Sequence, residues 1–572
     1  MEPIGSKKWT LRGGNVDPDQ IDHLAGSGDI SPLVARLLCL RGQGEQALAG
    51  QFLDGRLADL PDPFAMKGME TGVARLVKAV ESGEKILVHG DYDVDGISGT
   101  SLLVEFLSEI GAEVGYHIPL RLKDGYGLSA QAIDRAAAQE VSLIVSVDCG
   151  VTAVDEARLA LDYGIDLIIT DHHQPPEQLP DALAIINPHQ SDCSFPDKGL
   201  AGVGVAFFVA VALRKALRDK NYFSDATPEP DLRHYLDLVA LGTIADVVPL
   251  TGVNRLLTRV GLQVLNGGGR VGIVALSEVA RLKEIDSGAV GFKLGPRLNA
   301  AGRIEDAALG VKLLLTKDRG EADEISTVLD RFNKDRQNLE IRILRQCESA
   351  VSDLDDARRS VVLSDPEWHP GVIGIVASRL VDRYYRPTIL LAIENGQAKG
   401  SGRSTREIVL YDALAECADQ LRGFGGHAAA AGLSLDVERI DSFADCFEDA
   451  VVRQLPDAVL PALEHDGDLL LEELDEMLVD DLSRLEPHGM GNPKPLFVIG
   501  EVRILGCKVV GERHLKFTAR QGGYSFSCIA FGMAERADEL TGEVDLLAVP
   551  ELNRWNGRTE IQLRVKDWKP SV

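Results

Sequence analysis

The stretch KILVHGDYDVDG, residues 85–96, indicates both the fold class and a possible metal site. Its apolar residues 86–88 are bounded by glycine and acidic residues, a pattern typical of a buried strand. His89, Asp91 and Asp93 lie at the carboxyl end of this strand, and alternate residues of an extended chain point the same way. Their carboxylates would repel one another unless a cation lay between them. The stretch therefore predicts a cation site at a strand end.

A calcium loop and a turn of solvated acids fit this stretch less well. A calcium loop begins with the same Asp-x-Asp-x-Asp-Gly pattern, but it needs a bidentate Glu where this chain has Leu102. Solvated acids in a turn would account for the carboxylates but not for the apolar strand that leads directly into them. We therefore favour the metal site.

The composition is that of a globular protein, with a charge that disfavours general binding to nucleic acid. The chain has 572 residues, 45% of them hydrophobic, so several domains are expected. The net charge of −28 repels phosphate, and any nucleic acid must therefore bind to local basic surfaces. Eight scattered cysteines without a CxxC pair favour reduced thiols and a cytoplasmic location.

We expect no membrane association and no signal peptide. The first residues are not followed by an apolar core of the kind that a signal peptide has. The longest uncharged apolar run, residues 199–213, is too short to span a bilayer and predicts a buried helix.

Residues from about 70 to 250 alternate between strand and helix patterns, which predicts a parallel sheet covered by helices on both faces. Two more predicted strands, residues 143–147 and 166–170, end in potential ligands. These ligands are Asp148 after the first strand, and Asp171, His172 and His173 after the second. A single Asp at a strand end is often only a helix N-cap. Three such ends in one sheet favour a shared site, because open α/β sheets bind ligands there.

The resulting set of side chains suits two divalent ions. Asp246 joins it, because this acid ends an apolar helical stretch and needs a partner. The candidate ligands are His89, Asp91, Asp93, Asp148, His172 and Asp246. Two ions about 3.5–4 Å apart can activate a water and hold the oxygens of an in-line phosphoryl displacement. Two imidazoles among carboxylates favour Mn²⁺ over Mg²⁺.

Four segments resemble the ordered motifs of the DHH phosphoesterase family. They are HGDYDVDG (89–96), SVDCG (146–150), TDHHQP (170–175) and GTIADVVPL (242–250). The resemblance implies that the six candidate ligands bind two Mn²⁺ or Mg²⁺ ions. It also implies catalytic roles for Asp148, His172, His173 and Asp171, with Asp171 and His173 orienting ligands or contacting phosphate.

The following region contains a long helix and a second α/β segment. Residues 321–351 have a helical apolar pattern whose other face is basic, either simply solvated or part of a spacer between two lobes. In the second segment, the small-residue stretches KGSGRS (399–404) and GGHAAAAG (425–432) predict phosphate-binding loops. Together they resemble the substrate-binding domain that accompanies DHH domains.

Several further residues are candidate contacts to a phosphodiester backbone. They are Arg121, Tyr126, Arg297, Arg303, Ser401, Arg403 and His427. Guanidinium groups suit phosphate oxygens, although Arg297 and Arg303 would also fit a loop with ordinary surface arginines.

Five short predicted strands near the C-terminus suggest a small barrel, most simply an OB-fold that binds single strands. Its candidate cations are Lys508, Arg513, Lys516, Arg520, Arg554, Arg558, Arg564 and Lys566. Its candidate stacking residues are Phe517, Tyr524, Phe526 and Trp555, of which about half must face the barrel core. An SH3-like barrel that only packs against the main body is the alternative.

We therefore predict an α/β protein with a C-terminal OB-fold barrel. The expected segments are an N-terminal segment (1–65), a DHH catalytic domain (66–318), a long connecting helix (319–354), a DHH-associated substrate-binding domain (355–460) and an OB-fold domain (465–572). This order resembles the single-strand-specific exonucleases of the DHH family.

That resemblance implies 5′-to-3′ hydrolysis of single-stranded DNA to 5′-mononucleotides, in recombination and mismatch repair. It also implies cooperation with single-stranded-DNA-binding protein and a RecQ-type helicase, and we expect a monomer. Two rival functions remain. A phosphodiesterase for short oligonucleotides or cyclic dinucleotides would need no barrel, and a non-catalytic scaffold would be expected to have lost metal ligands, whereas all six are present.

Overall fold

A computed structural model describes residues 7–14, 16–26, 30–120, 127–304, 306–457, 459–555 and 558–571. Two of the candidate substrate-binding residues, Arg121 and Tyr126, lie outside these ranges. None of the helices in the described part of the chain is long and apolar enough to cross a membrane. All eight cysteines are free thiols, as their spacing predicted.

The strands are numbered in chain order. They are β1 (Lys8–Leu11), β2 (Ile86–Gly90), β3 (Val114–His117), β4 (Leu143–Val147), β5 (Asp166–Thr170), β6 (Ala184–Ile186), β7 (Val361–Asp365), β8 (Thr388–Glu394), β9 (Gln397–Arg403), β10 (Gly423–Gly426), β11 (Ala430–Asp436), β12 (Ala462–His465), β13 (Phe497–Val510), β14 (His514–Gln521), β15 (Tyr524–Ala530), β16 (Glu543–Trp555) and β17 (Arg558–Pro570).

The α-helices are numbered in the same way. They are α1 (Pro18–Gly26), α2 (Pro32–Leu40), α3 (Gln46–Asp54), α4 (Met69–Ser82), α5 (Val94–Glu109), α6 (Ala130–Ala138), α7 (Val154–Asp162), α8 (Gly202–Asp219), α9 (Leu236–Ala245), α10 (Gly252–Asn266), α11 (Val271–Val279), α12 (Ser287–Ala289), α13 (Gly295–Ile304), α14 (Ala308–Leu315), α15 (Arg319–Ser352), α16 (Pro370–Tyr384), α17 (Leu410–Glu416), α18 (Ile440–Gln454) and α19 (Glu476–Ser483). A π-helical turn, Val290–Leu294, joins α12 to α13.

By its contacts the chain divides into two compact units. The first comprises residues 1–9, 303–306 and 327–463, and the second comprises residues 10–302, 307–326 and 464–572. Each unit is described separately below.

The larger unit contains the predicted parallel sheet, in the order β3-β2-β4-β5-β6. Strands β2 and β4 are buried along their whole length, as expected of apolar strands covered on both faces. The chain passes from β2 to β3 on one side and then returns to β4 on the other. The carboxyl ends of β2 and β4 therefore border the crevice where such sheets bind ligands.

The same unit contains the C-terminal barrel, which is closed in the order β13-β14-β15-β17-β16. Strands β15 and β17 pair in parallel, and the other neighbours are antiparallel. The five strands predicted from the sequence are present, and the barrel interior is apolar, with Phe497, Leu515 and Leu546 fully buried.

Helices α1 to α3 share one hydrophobic core with this barrel. Leu24 and Leu38 belong to the same buried cluster as Leu546 and Trp568. The N-terminal helices are thus part of the barrel's packing.

A buried arginine of α10 forms hydrogen bonds both to this N-terminal segment and to the segment that precedes the barrel. The Arg255 guanidinium donates to the carbonyl oxygens of Phe52, Leu485 and Arg484 at 3.0, 2.8 and 3.0 Å. It also lies 3.8 Å from the centroid of the Phe52 ring, within the range of a cation–π contact.

The smaller unit contains a mixed sheet in the order β10-β11-β9-β8-β7. The C-terminal part of α15 packs here, with Ile343 and Cys347 fully buried in one cluster with Val372 of α16. The predicted phosphate-binding loop KGSGRS is instead part of strand β9, and GGHAAAAG forms the β10–β11 hairpin. Most of their backbone groups are therefore used in pairing between strands.

The glycines of β9 explain why this stretch resembles a loop in sequence. A Cβ at Gly400 would lie 2.7 Å from side-chain carbons of Leu391 and Leu433, and one at Gly402 would lie 2.6 Å from Ile389 Cδ1. Glycine is required at both positions because the core side chains approach the strand closely.

We predict that Arg255→Met lowers the free energy of unfolding by about 3 kcal/mol or more, because three buried carbonyl groups lose their donor. Urea unfolding followed by circular dichroism measures this change. Arg158→Met, at an exposed position of α7, is the control and should leave the midpoint unchanged. Equal midpoints for both variants would contradict a fastening role for Arg255.

Candidate metal centre

The end of β2 positions the first set of acids. His89 is fully buried in the strand, and Asp91 follows it at 2% exposure. The chain then turns into α5, whose N-cap is Asp93. One Asp93 oxygen accepts hydrogen bonds from the backbone N–H groups of Asp95 and Gly96 at 2.9 and 3.1 Å. The second Asp93 oxygen is not used by this cap and can bind a metal ion.

The end of β4 presents Asp148 in a strained conformation. Its φ of +62° is unusual for a residue other than glycine. Its backbone N–H donates to the Thr170 carbonyl oxygen at 3.0 Å, which ties it to the neighbouring strand β5. Gly202, at the start of α8, lies so close that a Cβ there would be 2.6 Å from Asp148 Cβ. The side chain of Asp148 is thereby confined to one direction.

The end of β5 contains an ion pair that orients a histidine. Asp171 is buried and accepts from the N–H groups of Val151 and His172 at 2.9 and 2.7 Å. It also bonds His173 Nδ1 at 2.7 Å. Burial alone lowers the pKa of His173, but the hydrogen bond and charge of Asp171 outweigh it and raise the pKa. The same contact holds the pKa of Asp171 below its usual value, despite burial.

His172 and Asp246 bring the remaining elements together. His172 Nε2 lies 3.0 Å from Asp148 Oδ1, 3.6 Å from Asp246 Oδ2 and 3.8 Å from Asp95 Oδ2. His172 Nε2 and Asp246 Oδ2 are buried, and neither makes a hydrogen bond within the part of the chain that the structure describes. A buried acceptor atom without a donor is costly, and a cation would satisfy both.

Three overlapping groups among the described residues have ligand atoms within 4.8 Å of one another. They are Asp91, Asp93 and Asp148; Asp95, His172 and Asp246; and Asp148, His172 and His173. Oxygen and imidazole donors in this proportion suit Mn²⁺ and, less well, Mg²⁺. The residues present therefore fit divalent metal ions.

The electrostatics of the cluster favour a bound cation. Burial and the charges of Asp95 and Asp93 raise the pKa of Asp246 to about 9, and burial and Asp93 raise that of Asp95 to about 7. Burial, with the charge of His173, lowers the pKa of His172 to about 4, so its imidazole is neutral and can act as a ligand. These carboxylates resist ionising side by side unless positive charge compensates them.

Asp95 is a site residue that the sequence analysis missed. It is fully buried, and its two oxygens accept from the N–H groups of Gly202 and Val203 at 2.6 and 2.9 Å. A Cβ at Gly242 of α9 would lie 2.7 Å from Asp95 Oδ1. Asp95 comes two residues after Asp93 in the sequence, but it already lies in α5, where the alternation of side chains along a strand no longer applies.

His89 occupies a different environment from the other candidate ligands. Its Nε2 lies 3.1 Å from the carbonyl oxygen of Gly127, and its ring is 5.1 Å from that of His117 on β3. It is at the correct strand end but belongs to none of the three described groups of close ligand atoms. Its role as a ligand stays a prediction.

Two candidate phosphate-binding residues lie together in the smaller unit. Arg403 Nη1 donates to Ser401 Oγ at 3.1 Å. Both side chains lie over Gly374 of α16, where a Cβ would be 2.7 Å from Ser401 Oγ and 3.1 Å from Arg403 Nη2. They therefore flank the first turns of a fifteen-residue helix, whose N–H groups favour anions.

The other candidates are more dispersed. His427 is exposed in the β10–β11 turn, and its backbone N–H donates to the Ala430 carbonyl oxygen at 2.8 Å. Arg303 Nη1 donates to the Gly371 carbonyl oxygen at 2.8 Å. Arg297 Nη1 donates to the Lys293 carbonyl oxygen at 2.7 Å, within one helical segment. Arg303 therefore contacts the first turn of α16, the helix that Ser401 and Arg403 flank, whereas Arg297 and His427 belong to other local arrangements.

The barrel carries a row of cations on its outer face. Lys508, Lys516, Ile529 and Arg564 occupy one row across strands β13, β14, β15 and β17. The Arg564 guanidinium lies 5.2 Å from the centroid of the Phe531 ring, and Phe531 is 51% exposed. The row has the charge and the aromatic contact that a single-strand surface needs.

The predicted stacking residues of the barrel differ in position. Phe517 is buried in the core, Phe526 is half-buried, and Tyr524 is 48% exposed. The side chains of Arg554, Trp555 and Arg558 lie outside the described part of the structure.

Comparison with known families supports this architecture. Residues 85–243 match the DHH family, N-terminal domain; residues 358–453 match the DHHA1 domain; and residues 465–567 match the RecJ OB domain.

Individual relatives are similar over nearly the whole chain. The single-stranded-DNA-specific exonuclease RecJ of Escherichia coli is 39% identical over 571 residues, covering 96% of this chain and 98% of the relative. RecJ of Thermus thermophilus in complex with Mn²⁺ has a TM-score of 0.84 at 34% identity, covering 99% of this chain and 80% of that one. Its complex with Mg²⁺ has a TM-score of 0.78 at 32% identity, covering 98% of this chain and 78% of that one.

The parallel sheet, with carboxylates and imidazoles converging at the ends of β2, β4 and β5, defines a DHH phosphoesterase, a metal-dependent hydrolase. The accompanying DHHA1 and OB domains narrow the class further. Given 39% identity over almost its full length, the chain belongs to the RecJ family of single-stranded-DNA-specific exonucleases.

We predict that Gly202→Ala weakens Mn²⁺ binding while preserving the fold, because the added methyl group would displace Asp148. Isothermal titration with Mn²⁺ measures the effect, and circular dichroism checks the fold. Gly204→Ala is a matched control in the same helix, since a Cβ there would meet Leu200 Cδ2 at an ordinary 3.4 Å. If both variants bind Mn²⁺ like the unmodified protein, Asp148 is not a ligand.

Proposed function

We propose that this chain is a metal-dependent exonuclease specific for single-stranded DNA. The observation that carries the proposal is the convergence of buried carboxylates and His172 at the ends of parallel strands, in a chain of the RecJ family. We further propose 5′-to-3′ polarity, release of 5′-mononucleotides, and a role in DNA recombination and mismatch repair.

The residues that would hold two divalent ions are His89, Asp91, Asp93, Asp95, Asp148, His172 and Asp246. When bound, Mn²⁺ or Mg²⁺ would supply Lewis-acid activation and neutralise charge at the scissile phosphate. The strained backbone of Asp148 fixes a carboxylate that belongs to two of the three groups of ligand atoms. This rigid placement is what a metal site requires of its protein ligands.

Asp171 and His173 would act on the substrate phosphate. The Asp171 carboxylate fixes the His173 ring through Nδ1 and raises its pKa, so the ring stays protonated to higher pH than a free imidazole. His173 can therefore present a charged N–H at Nε2 to a phosphate oxygen, or give that proton to the leaving oxygen. We assign the catalytic roles to Asp148, His172, His173 and Asp171 on this basis.

We propose that the DNA backbone is bound by cations from several elements. Ser401, Arg403 and the start of α16 suit a phosphate group, and the row of Lys508, Lys516 and Arg564 suits the backbone of a single strand. Arg121, Tyr126, Arg297, Arg303 and His427 stay candidate contacts. A chain with net charge −28 needs such local cationic surfaces to bind DNA.

We propose the domain division predicted from the sequence: residues 1–65, 66–318, 319–354, 355–460 and 465–572. It is supported by the family matches at 85–243, 358–453 and 465–567. As partners we propose single-stranded DNA, a single-stranded-DNA-binding protein and a RecQ-type helicase, with the chain itself a monomer. Eight free thiols support a cytoplasmic location.

A phosphodiesterase for cyclic dinucleotides or very short oligonucleotides is the main alternative. Such a substrate has no strand that extends to the barrel, so the cationic row on the barrel's outer face would serve no purpose. A non-catalytic scaffold would not need the buried cluster of acids around His172. Both observations favour the exonuclease.

We predict that the protein degrades end-labelled single-stranded DNA in the presence of Mn²⁺, and that Asp148→Ala reduces degradation to background. Products of 5′- and 3′-labelled strands, separated on a denaturing gel, give polarity and product length. A chelator should stop the reaction and added Mn²⁺ should restore it. Undiminished degradation by Asp148→Ala at saturating Mn²⁺ would refute the proposed ligand set, and inert wild type would refute the nuclease proposal.

We predict that changing Lys508, Lys516 and Arg564 to alanine together weakens binding to long single strands more than to very short ones. The salt dependence of binding should become shallower by about 2 in logarithmic slope, because three phosphate contacts no longer release counterions. A matched control changes three exposed cations on helices outside the barrel to alanine: Lys78, Arg135 and Arg158. Equal losses on long and short strands would contradict a tracking role for the barrel row.

A further inference from the structure

Phe292 is the most exposed large apolar side chain in the described part of the chain, at 84% exposure. Its neighbours in the turn are fully buried, since Val290 and Leu294 are both 0% exposed. The backbone here is therefore anchored in the core, while the phenyl ring between the two anchors points into solvent. Single exposed apolar residues are common on protein surfaces, so exposure alone does not indicate a function for this ring.

The ring lies on the π-helical turn Val290–Leu294, and such turns occur mostly as isolated distortions, frequently at functional sites. The turn packs against the end of α9. A Cβ at Gly291 would lie 3.9 Å from Ile244 Cγ2, and one at Gly295 would lie 3.6 Å from Ala245 Cβ. Both contacted residues immediately precede Asp246, one of the proposed metal ligands.

The helix that follows the turn continues along the metal centre. Asn299 Oδ1 of α13 accepts a hydrogen bond at 3.1 Å from the N–H of Val94, the residue after Asp93. A Cβ at Gly302 would lie 3.0 Å from the Tyr92 carbonyl oxygen. The π turn and α13 thus border the site from Asp246 to Asp93, with Phe292 at the Asp246 end.

Charge around Phe292 suits a nucleotide. Lys293 is exposed next to it, and Arg297 lies one helical turn further along. Val247, directly after Asp246, is also exposed, at 59%. An aromatic face beside cations, at the edge of a phosphodiesterase centre, has the composition of a base-stacking platform for single strands.

We propose that Phe292 stacks on the base of a nucleotide next to the scissile phosphate and so positions the single strand for hydrolysis. This inference rests on the proposed nuclease function. Every base offers a π face, so the contact tolerates any sequence. In a duplex both faces of each internal base are covered by its neighbours, and the contact therefore selects unpaired DNA. Phe292 is a substrate-positioning residue and takes no part in proton transfer.

The test combines a change in the protein with a change in the substrate. Phe292→Ala should raise the Michaelis constant for single-stranded DNA about tenfold, as expected for the loss of one base–aromatic stack. Phe292→Trp should restore wild-type behaviour. A series of oligonucleotides, each with one abasic site near the end that is cleaved first, locates the contact. At one position, the abasic site should raise the Michaelis constant of the wild type but not that of Phe292→Ala.

Binding provides a second readout that does not depend on hydrolysis. With a chelator present, an oligonucleotide containing 2-aminopurine at that position should show quenched fluorescence with wild type but not with Phe292→Ala. Tyr163→Ala is the matched control, because Tyr163 is an aromatic residue of the same unit, 51% exposed, just before the opposite end of β5. It should leave the Michaelis constant and the quenching unchanged.

Two outcomes would overturn the proposal. Phe292→Ala with an unchanged Michaelis constant and unchanged quenching would make the ring an ordinary surface residue or a contact for another protein. If Phe292→Ala raises the Michaelis constant by the same factor on every abasic substrate, the variant disturbs Asp246 and not base stacking. If wild type binds and quenches the oligonucleotide but does not hydrolyse it with Mn²⁺, the nuclease proposal fails while the stacking proposal survives.

Discussion

The structure of the larger unit depends on confining several carboxylates that repel one another to the edge of one sheet. Asp95 and Asp148 are almost fully buried, and Asp246 lies close to both through His172. Burial of such a group is unfavourable unless it is compensated by hydrogen bonds or by a cation. Asp95 receives two backbone N–H groups from α8, whereas His172 Nε2 and Asp246 Oδ2 face the centre without hydrogen bonds among the described residues. The surrounding strands and helices are arranged so that these buried carboxylates can be compensated.

Glycines allow the helices to approach the acids this closely. Gly202 of α8 faces Asp148 and Gly242 of α9 faces Asp95, and in both cases a single added carbon would lie within 2.8 Å of the acid. The backbone of Asp148 accepts an unfavourable φ for the same reason. The strained backbone of Asp148 and the glycines of α8 and α9 serve the same end. Both hold carboxylates in fixed positions close to one another, despite their mutual repulsion.

Much of this arrangement could be predicted from local patterns. Strands β4 and β5 begin and end at the predicted residues, because short apolar runs between turn signals specify buried strands well. Asp95 was missed because the chain passes from strand to helix between Asp91 and Val94, and the alternation of side chains that holds in a strand does not continue into the helix. The predicted loop at residues 399–404 is largely strand β9, because its glycines make room for core leucines that only the tertiary structure brings near. Distant packing of this kind leaves no local signature.

The hydrophobic core that α1 to α3 share with the barrel has a consequence for the synthesis of the protein. These helices leave the ribosome well before the barrel strands, which supply much of the core that contains Leu24 and Leu38. Until the barrel strands are made, the apolar side chains of the helices lack the barrel part of their core, and the Arg255 contacts to residues 484 and 485 cannot form. Contacts of such sequence separation form slowly and leave the nascent chain prone to aggregation. Helices α1 to α3 therefore complete their packing only after the barrel has been made, and a nascent chain that stops before the barrel leaves that apolar surface open to chaperones and proteases.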